Sequence, residues 1–265
     1  MKKIIFLLSV ILLSTLLTAC LDNSSNQSGA QKQLLVYCSN SMVKPIAEIA
    51  QIFEKETNVK VAINPGPSDK LYQDIKSTKQ GDLYLPDSAD YREKYLAEGL
   101  LGDEILIGHN QAAFLVQEGN PKKVSAQISE LLRDDLKIGM SNPSTSRIGN
   151  ETKDILSKRD LYWQIHDRIA YLAPESASLN SALKQGDVDL VLNWRASGFF
   201  EGNRGKTDVI TLPIDVAQPK KLLLNYLTVS KKSELAHQFM EYVASVQGQA
   251  IFRSYGYLDI AMKSH

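Results

Sequence analysis

The sequence is poor in cysteine and histidine, with two Cys and four His in 265 residues. That count excludes a Cys-rich metal site. The four His, at 109, 166, 237 and 265, show no metal-ligand spacing such as His-x-x-x-His. Neither sign of charge is in excess, because 30 Lys and Arg face 30 Asp and Glu. A nucleic-acid binder would carry a basic excess, so that class is not expected. A small anion stays compatible, since local dipoles can hold one without net charge. Long apolar runs are missing as well. Ile4 to Leu17 falls short of the roughly 20 residues that span a bilayer. There is no Gly-x-Ser-x-Gly elbow, no Walker loop and no His-Glu-x-x-His pair, so an enzyme is not expected. No internal repeat of fixed short period is present.

The ends of that apolar run are informative. Met1-Lys2-Lys3 precedes it and Leu17-Thr18-Ala19-Cys20 closes it. A basic start, a short apolar core and a small-residue end mark a secretory signal over residues 1–20. Leu-Thr-Ala-Cys resembles the bacterial lipobox, which implies a lipid anchor on Cys20. Cys38 would then have no partner for an intramolecular disulfide, and it follows the strand-like run Leu34 to Tyr37 as a buried structural thiol. Residues 21–33 are Ser-, Asn- and Gln-rich and form the expected flexible tether. About 230 residues remain, which suits two lobes of roughly 100 residues each.

The folded part alternates. Leu34 to Tyr37 is β-prone, Ile46, Ile49, Ala50 and Phe53 recur at helical spacing, and Val59 to Ile63 alternates as a second strand. Asn64-Pro65-Gly66-Pro67-Ser68 is a loop by composition, Leu71 and Ile75 open another helix, and Gly81 to Leu85 is a third strand. Further strands are expected at 111–117, 136–140, 188–192, 210–214 and 222–229. Helices are expected at 151–158, 162–169, around Leu179 and Leu183, and at 235–246. This rhythm predicts an α/β protein of two units, each with helices packed on a sheet. Ligands of such sheets bind beyond the carboxyl ends of the strands. Two loops occupy that edge early, Cys38 to Ser41 and Asn64 to Asp69, and each sets a Ser at a helix start. Unpaired N–H groups and a hydroxyl there suit an oxyanion, although Ser41 and Ser68 could equally be simple N-caps.

From Leu34 onward the chain resembles the periplasmic molybdate-binding proteins of ABC transporters, of the type II solute-binding class. The resemblance rests on Leu35 to Met42, Phe53-Glu54-Lys55-Glu56-Thr57, Gly66 to Leu71, Gly81 to Leu85, Gly99-Leu100, Gly119-Asn120-Pro121, Ser141-Asn142-Pro143 and Gly186 to Asp189, in family order and spacing. It implies a two-lobed periplasmic-binding-protein fold. Each lobe is a mixed sheet flanked by helices, with the ligand in the cleft between lobes. Lobe one would span 34–110 and 220–265, and lobe two 111–219. The implied protein is a monomeric lipoprotein of the bacterial cell envelope, on the periplasmic side. It would capture molybdate, tungstate or another tetrahedral oxyanion for an ABC permease, without a cofactor. Carried over, Ser41 and Ser68 would donate hydroxyls from lobe one, beside Asn40. Ile148, one residue before Gly149, and Ser176 would donate backbone N–H groups from lobe two. Trp194 stands where the family has a Tyr donor, and an indole N–H also only donates.

Three charges depart from the family pattern. Asp69 replaces a loop Gly beside Ser68, and Arg147 and Arg195 flank Ile148 and Trp194. A carboxylate near a dianion is repulsive unless paired, protonated or turned away. One Arg could pair Asp69 across the cleft or hold the anion directly. Two alternatives stay open. A related ferric-ion binder would use Tyr84, Tyr91, Asp82, Asp87 and Asp90, and a surface protein could signal or adhere without transport.

Overall fold

The computed structural model describes residues 32–260. The signal segment, the Cys20 anchor, nearly all of the tether and residues 261–265 lie outside the described residues. β1 (Gln33–Ser39) leads through a 3₁₀ turn, Asn40–Met42, into α1 (Val43–Thr57), followed by β2 (Lys60–Gly66), α2 (Ser68–Thr78) and β3 (Leu83–Leu85). Then come α3 (Asp90–Tyr95), β4 (Leu101–Asn110), β5 (Ala112–Gln117), β6 (Ile138–Ser141), α4 (Arg147–Ser157), α5 (Tyr162–His166) and β7 (Ile169–Ala173). α6 (Ser176–Gln185), β8 (Leu190–Trp194), a 3₁₀ turn Arg195–Phe199, β9 (Thr207–Thr211), β10 (Lys220–Leu227), α7 (Ser233–Ala244) and α8 (Val246–Ser254) complete the described chain.

The strands form two five-stranded sheets, ordered β2-β1-β3-β10-β4 and β7-β6-β8-β5-β9. In the first, β1 runs parallel to β2 and β3, while β10 is antiparallel to β3 and β4. In the second, β6 runs parallel to β7 and β8, while β5 is antiparallel to β8 and β9. Both sheets therefore carry a parallel half whose order reverses around one strand, β1 or β6. At such a switch point the strand ends open toward a crevice. Each sheet has its own apolar core. Ile46, Ile49 and Phe53 of α1 pack with Phe239 and Met240 of α7 around β1 and β10. Phe114, Met140, Ile148, Ile155 and Leu192 fill the second lobe.

The lobes are joined twice. Gln111 alone separates β4 of one sheet from β5 of the other, and residues 212–219 return from β9 to β10. The buried Gln111 amide donates to Leu212 O at 3.0 Å and to Ala217 O at 2.7 Å, so it fastens the two crossings together.

Three expectations change. Asn64-Pro65-Gly66, read as loop, extends β2. β2 is an edge strand, where a missing proline donor costs nothing in the ladder. Ile169, placed in a helix by composition, begins the edge strand β7, whose residues alternate toward and away from the core. β4 is a ten-residue strand without a sequence prediction, because Gly102, Asp103, Glu104, Gly108 and His109 break its alternation. Pairing with the apolar β10 holds it in place.

Candidate functional site

Three helices start at the carboxyl ends of parallel strands. α2 follows β2, α4 follows β6, and α6 follows β7. Their N-cap residues, Pro67, Ser146 and Glu175, make no side-chain capping bond. The first intrahelical bonds come from Leu71, Asn150 and Leu179. The N–H groups of Ser68, Asp69 and Lys70, of Arg147, Ile148 and Gly149, and of Ser176, Ala177 and Ser178 therefore precede any intrahelical partner. Each such end carries partial positive charge. The starts of α4 and α6 are tied together, since Asn142 N donates to Ala173 O at 2.8 Å and Thr145 Oγ1 to Pro174 O at 2.8 Å.

Neither Ser41 nor Ser68 is an N-cap. Ser41 lies in the 3₁₀ turn after β1, with its Oγ 3.4 Å from that of Ser39, and its carbonyl accepts from Tyr257 Oη at 2.8 Å. Asn40 beside it is exposed. Ser68 is the first residue of α2 and is buried. Its hydroxyl donates to Asp87 Oδ1 at 3.0 Å, and Asp87 N donates back to Ser68 Oγ at 3.0 Å. Tyr84 Oη donates to Ser68 O at 2.9 Å and fixes the turn from below.

In the second lobe the Ile148 side chain is buried in the core, which holds its backbone in place. A Cβ on Gly149 would stand 2.5 Å from the backbone of Ser141 and Asn142, so Gly is what lets α4 begin so close to β6. Ser176 Oγ donates to Asn193 Oδ1 at 2.7 Å. That oxygen also accepts from Trp194 N at 2.8 Å, while Asn193 Nδ2 donates to Ser176 O and to Asn180 Oδ1, both at 3.0 Å. The fully buried Asn193 thus clamps the start of α6 to the end of β8. Trp194 packs half-buried on the second-lobe core.

The charged residues pair differently from the cross-cleft expectation for Asp69. Asp69 stays within its lobe, 2.6 Å from Lys94 Nζ and in a short hydrogen bond from Tyr95 Oη. Lys94 and then Tyr95 hold its carboxyl below the usual range. Both partners lie on the neighbouring α3 of the same lobe. Arg195 also turns aside. Its guanidinium donates to Gly256 O and lies 4.9 Å over the Phe199 ring. Arg147 reaches across to the carboxylates of the first lobe. Its Nη2 donates to Asp90 Oδ2 at 2.8 Å, its Nε is 3.9 Å from Asp87 Oδ1, and its guanidinium sits 5.2 Å over Tyr91. Burial lowers the Arg147 pKa, but the Asp90 hydrogen bond and the Asp87 charge outweigh it and the net shift is upward. Lys220 with Glu151 at 3.0 Å and Lys44 with Glu201 at 2.6 Å are further cross-lobe pairs.

Asn193 carries no motif, and Asp87 enters the sequence reading only as a ferric-ion candidate. Asp87 follows the third strand of the β-α-β-α-β unit, at the same edge as the Ser41 and Ser68 loops, and that placement was the available signal. Of the five residues considered for ferric ion, Asp87, Asp90 and Tyr91 gather around Arg147. Asp82 accepts from Leu35 N, Ser230 Oγ and Lys232 Nζ, Tyr84 serves Ser68, and Tyr91 stacks on Tyr95. Among the described residues, no group of three or more His, Cys, Asp or Glu is placed to hold a metal.

Residues 34–258 match the family model described as bacterial extracellular solute-binding protein. The chain belongs to that family. YvgL of Bacillus subtilis, provisionally named an ABC transporter substrate-binding lipoprotein, is 22% identical over 260 residues, covering 97% of this chain and 98% of YvgL. The molybdate-binding protein ModA of Azotobacter vinelandii is 21% identical over 229 residues, 85% of this chain and 89% of ModA. Among solved structures, a substrate-binding domain from Clostridium difficile, provisionally assigned to a molybdenum ABC transporter, superposes with a TM-score of 0.77 at 21% identity, covering 86% of this chain and 99% of that one. These are solute-binding proteins of transport systems and not enzymes, and their partner is the permease of an ABC transporter. Among the described residues, no helix of this solute-binding protein is long and apolar enough to cross a membrane.

Proposed function

We propose that this solute-binding protein is anchored by lipid at Cys20 on the periplasmic side of a bacterial envelope. As a monomer it captures a tetrahedral oxyanion between its lobes for an ABC permease. Lobe one is 34–110 with 220–265, and lobe two is 111–219. One observation carries the reading. The uncapped starts of α2 and α4 belong to different sheets, yet Arg147 of α4 reaches Asp87, the partner of Ser68. That contact supports a site where donors of both lobes would converge, with Ser41 from the first lobe and the N–H groups of Ile148 and Ser176 from the second. An anion that uses donors of both lobes favours the closed form. The resemblance to molybdate-binding proteins puts molybdate and tungstate in this ligand class.

A thermal-shift screen across molybdate, tungstate, sulfate, phosphate and chromate tests the reading, and no stabilisation by any of them would refute it. Ser41→Ala should lower affinity for the stabilising anion about ten- to hundredfold, since a hydrogen bond to a charged group is worth roughly 1.5–3 kcal/mol. Calorimetry checks this, and unchanged affinity would remove Ser41 from the site. The anchor is tested separately by fractionation. Cys20→Ser should release the protein from the membrane fraction or leave it unprocessed, while a chain beginning at Leu34 should bind anion as the full chain does.

A further inference from the structure

The oxyanion reading leaves one contact unexplained, the one between Ser68 and Asp87. A serine hydroxyl has a single hydrogen. Here it is directed at Asp87 Oδ1, 3.0 Å away, while Ser68 Oγ accepts from Asp87 N at the same distance. The Ser68 carbonyl accepts from Tyr84 Oη at 2.9 Å, which fixes the backbone of the turn. An incoming molecule therefore meets lone pairs at this position, from Ser68 Oγ and from the carboxylate.

Asp87 is part of the convergent place. Its carboxylate lies 3.9 Å from Arg147 Nε of the opposite lobe. Its charge also acts on buried Tyr257, whose hydroxyl donates to the Ser41 carbonyl. Arg147 does not neutralise it alone, because the closer bond of that guanidinium goes to Asp90 at 2.8 Å. The side chain is 35% exposed, which leaves it open to a ligand. Burial of the carboxyl raises its pKa, and Arg147 and Ser68 draw it back, so the carboxyl would gain from an added donor.

The second-lobe wall offers donors and this part of the first-lobe wall offers acceptors. Molybdate, tungstate and sulfate are acceptors at all four oxygens near neutral pH. Such an anion satisfies the N–H groups but sets an oxygen against Asp87, which is repulsive. An anion of the phosphate type keeps at least one acidic O–H. That hydrogen can point at Asp87 while the other oxygens face the N–H groups, and no proton changes owner. We propose that Asp87 is a specificity residue that makes the cleft prefer oxoacid anions still carrying a proton, of the hydrogen-phosphate type, over fully deprotonated ones of the molybdate and sulfate type. The proposal rests on the oxyanion reading and reorders the ligands within it.

Calorimetry on the wild-type protein with sodium phosphate, sulfate and molybdate is the test. Phosphate should bind at least about a hundredfold more tightly than the other two, because a site built for a hydrogen bond rejects an analogue that lacks it. Asp87→Asn presents a neutral amide that can donate. It should weaken phosphate by about tenfold, strengthen sulfate and molybdate, and bring the preference below about tenfold. Asp87→Ser provides the same reading if the amide variant does not fold. Tighter wild-type binding of molybdate or sulfate than of phosphate would overturn the proposal and leave the oxyanion reading intact. So would a phosphate preference unchanged in the variants, or molybdate binding with uptake of one proton, measured in buffers of different ionisation heat. Absence of binding by any anion would refute the oxyanion reading, and the proposal with it.

Discussion

Gly149→Ala is expected to cost about a hundredfold in anion affinity while leaving a folded protein. The added methyl would stand 2.5 Å from the carbonyl oxygens of Ser141 and Asn142 and from the Asn142 carbonyl carbon. These are backbone atoms at the end of β6, and they cannot rotate away as a side chain would. The start of α4 has to shift outward instead. The N–H groups of Arg147, Ile148 and Gly149 then leave the position from which they face the first lobe, and hydrogen bonds weaken steeply once distance and angle are lost. Losing one or two bonds to an anion, at roughly 1.5–3 kcal/mol each, gives the hundredfold figure. Stability should fall less. Overpacking costs about 1–3 kcal/mol, but alanine recovers about 1 kcal/mol of helix propensity over glycine. Calorimetry with the best-binding anion and a thermal melt separate the two effects. Affinity within threefold of wild type would show that the start of α4 does not touch the ligand.

Asn193→Leu is expected to be the more damaging change for the fold. Leucine keeps the branched outline of four side-chain heavy atoms that asparagine has, so what is removed is the hydrogen bonds. Four bonds disappear, to Ser176 O, Ser176 Oγ, Asn180 Oδ1 and Trp194 N. Asn180 is buried and keeps an unpaired amide oxygen. A neutral bond contributes about 1 kcal/mol and an orphaned buried group costs about 1–3 kcal/mol, so four bonds and one orphan should total about 5–7 kcal/mol. For a domain of this size each kcal/mol moves Tm by about 2–4 °C, so a drop of at least about 10 °C is expected. The start of α6 also loses its clamp, so affinity should decline with stability. A melt within 3 °C of wild type would mean that the Asn193 network holds no more than ordinary surface contacts do.

Much of this organisation was legible in the residues themselves. The first three strands and two helices follow from apolar spacing alone, because Ile46, Ile49 and Phe53 share one helix face and Val59 to Ile63 alternates. The carboxyl-edge rule then directs attention to the Ser41 and Ser68 loops. Local pattern could not supply the rest. β4 reads as broken, with Gly102 and Gly108 inside it, and it exists through its ladder to β10. Asp69 looks like the disruptive charge because it sits beside Ser68 in sequence. In space it is paired with Lys94 and bonded by Tyr95, and the carboxylate that bonds Ser68 is Asp87, nineteen positions after that serine. The pairing of Arg147 with Asp90 joins residues 57 positions apart on different sheets, and no local window contains both.

Gln111 has a mechanical consequence. A protein whose halves are joined at two independent places can twist about one and bend about the other. Here one amide nitrogen holds the carbonyls of Leu212 and Ala217 against the residue that links β4 to β5. The two cords are knotted at a single point, so they act as one pivot. Sliding one half past the other would have to break this buried knot. A swing about it needs only small torsions in the flanking residues. Ala89 N donates to Lys221 O at 3.2 Å, just past the second crossing, so Asp90 and its partner Arg147 sit beside that pivot and brace it like a bolt set close to a hinge.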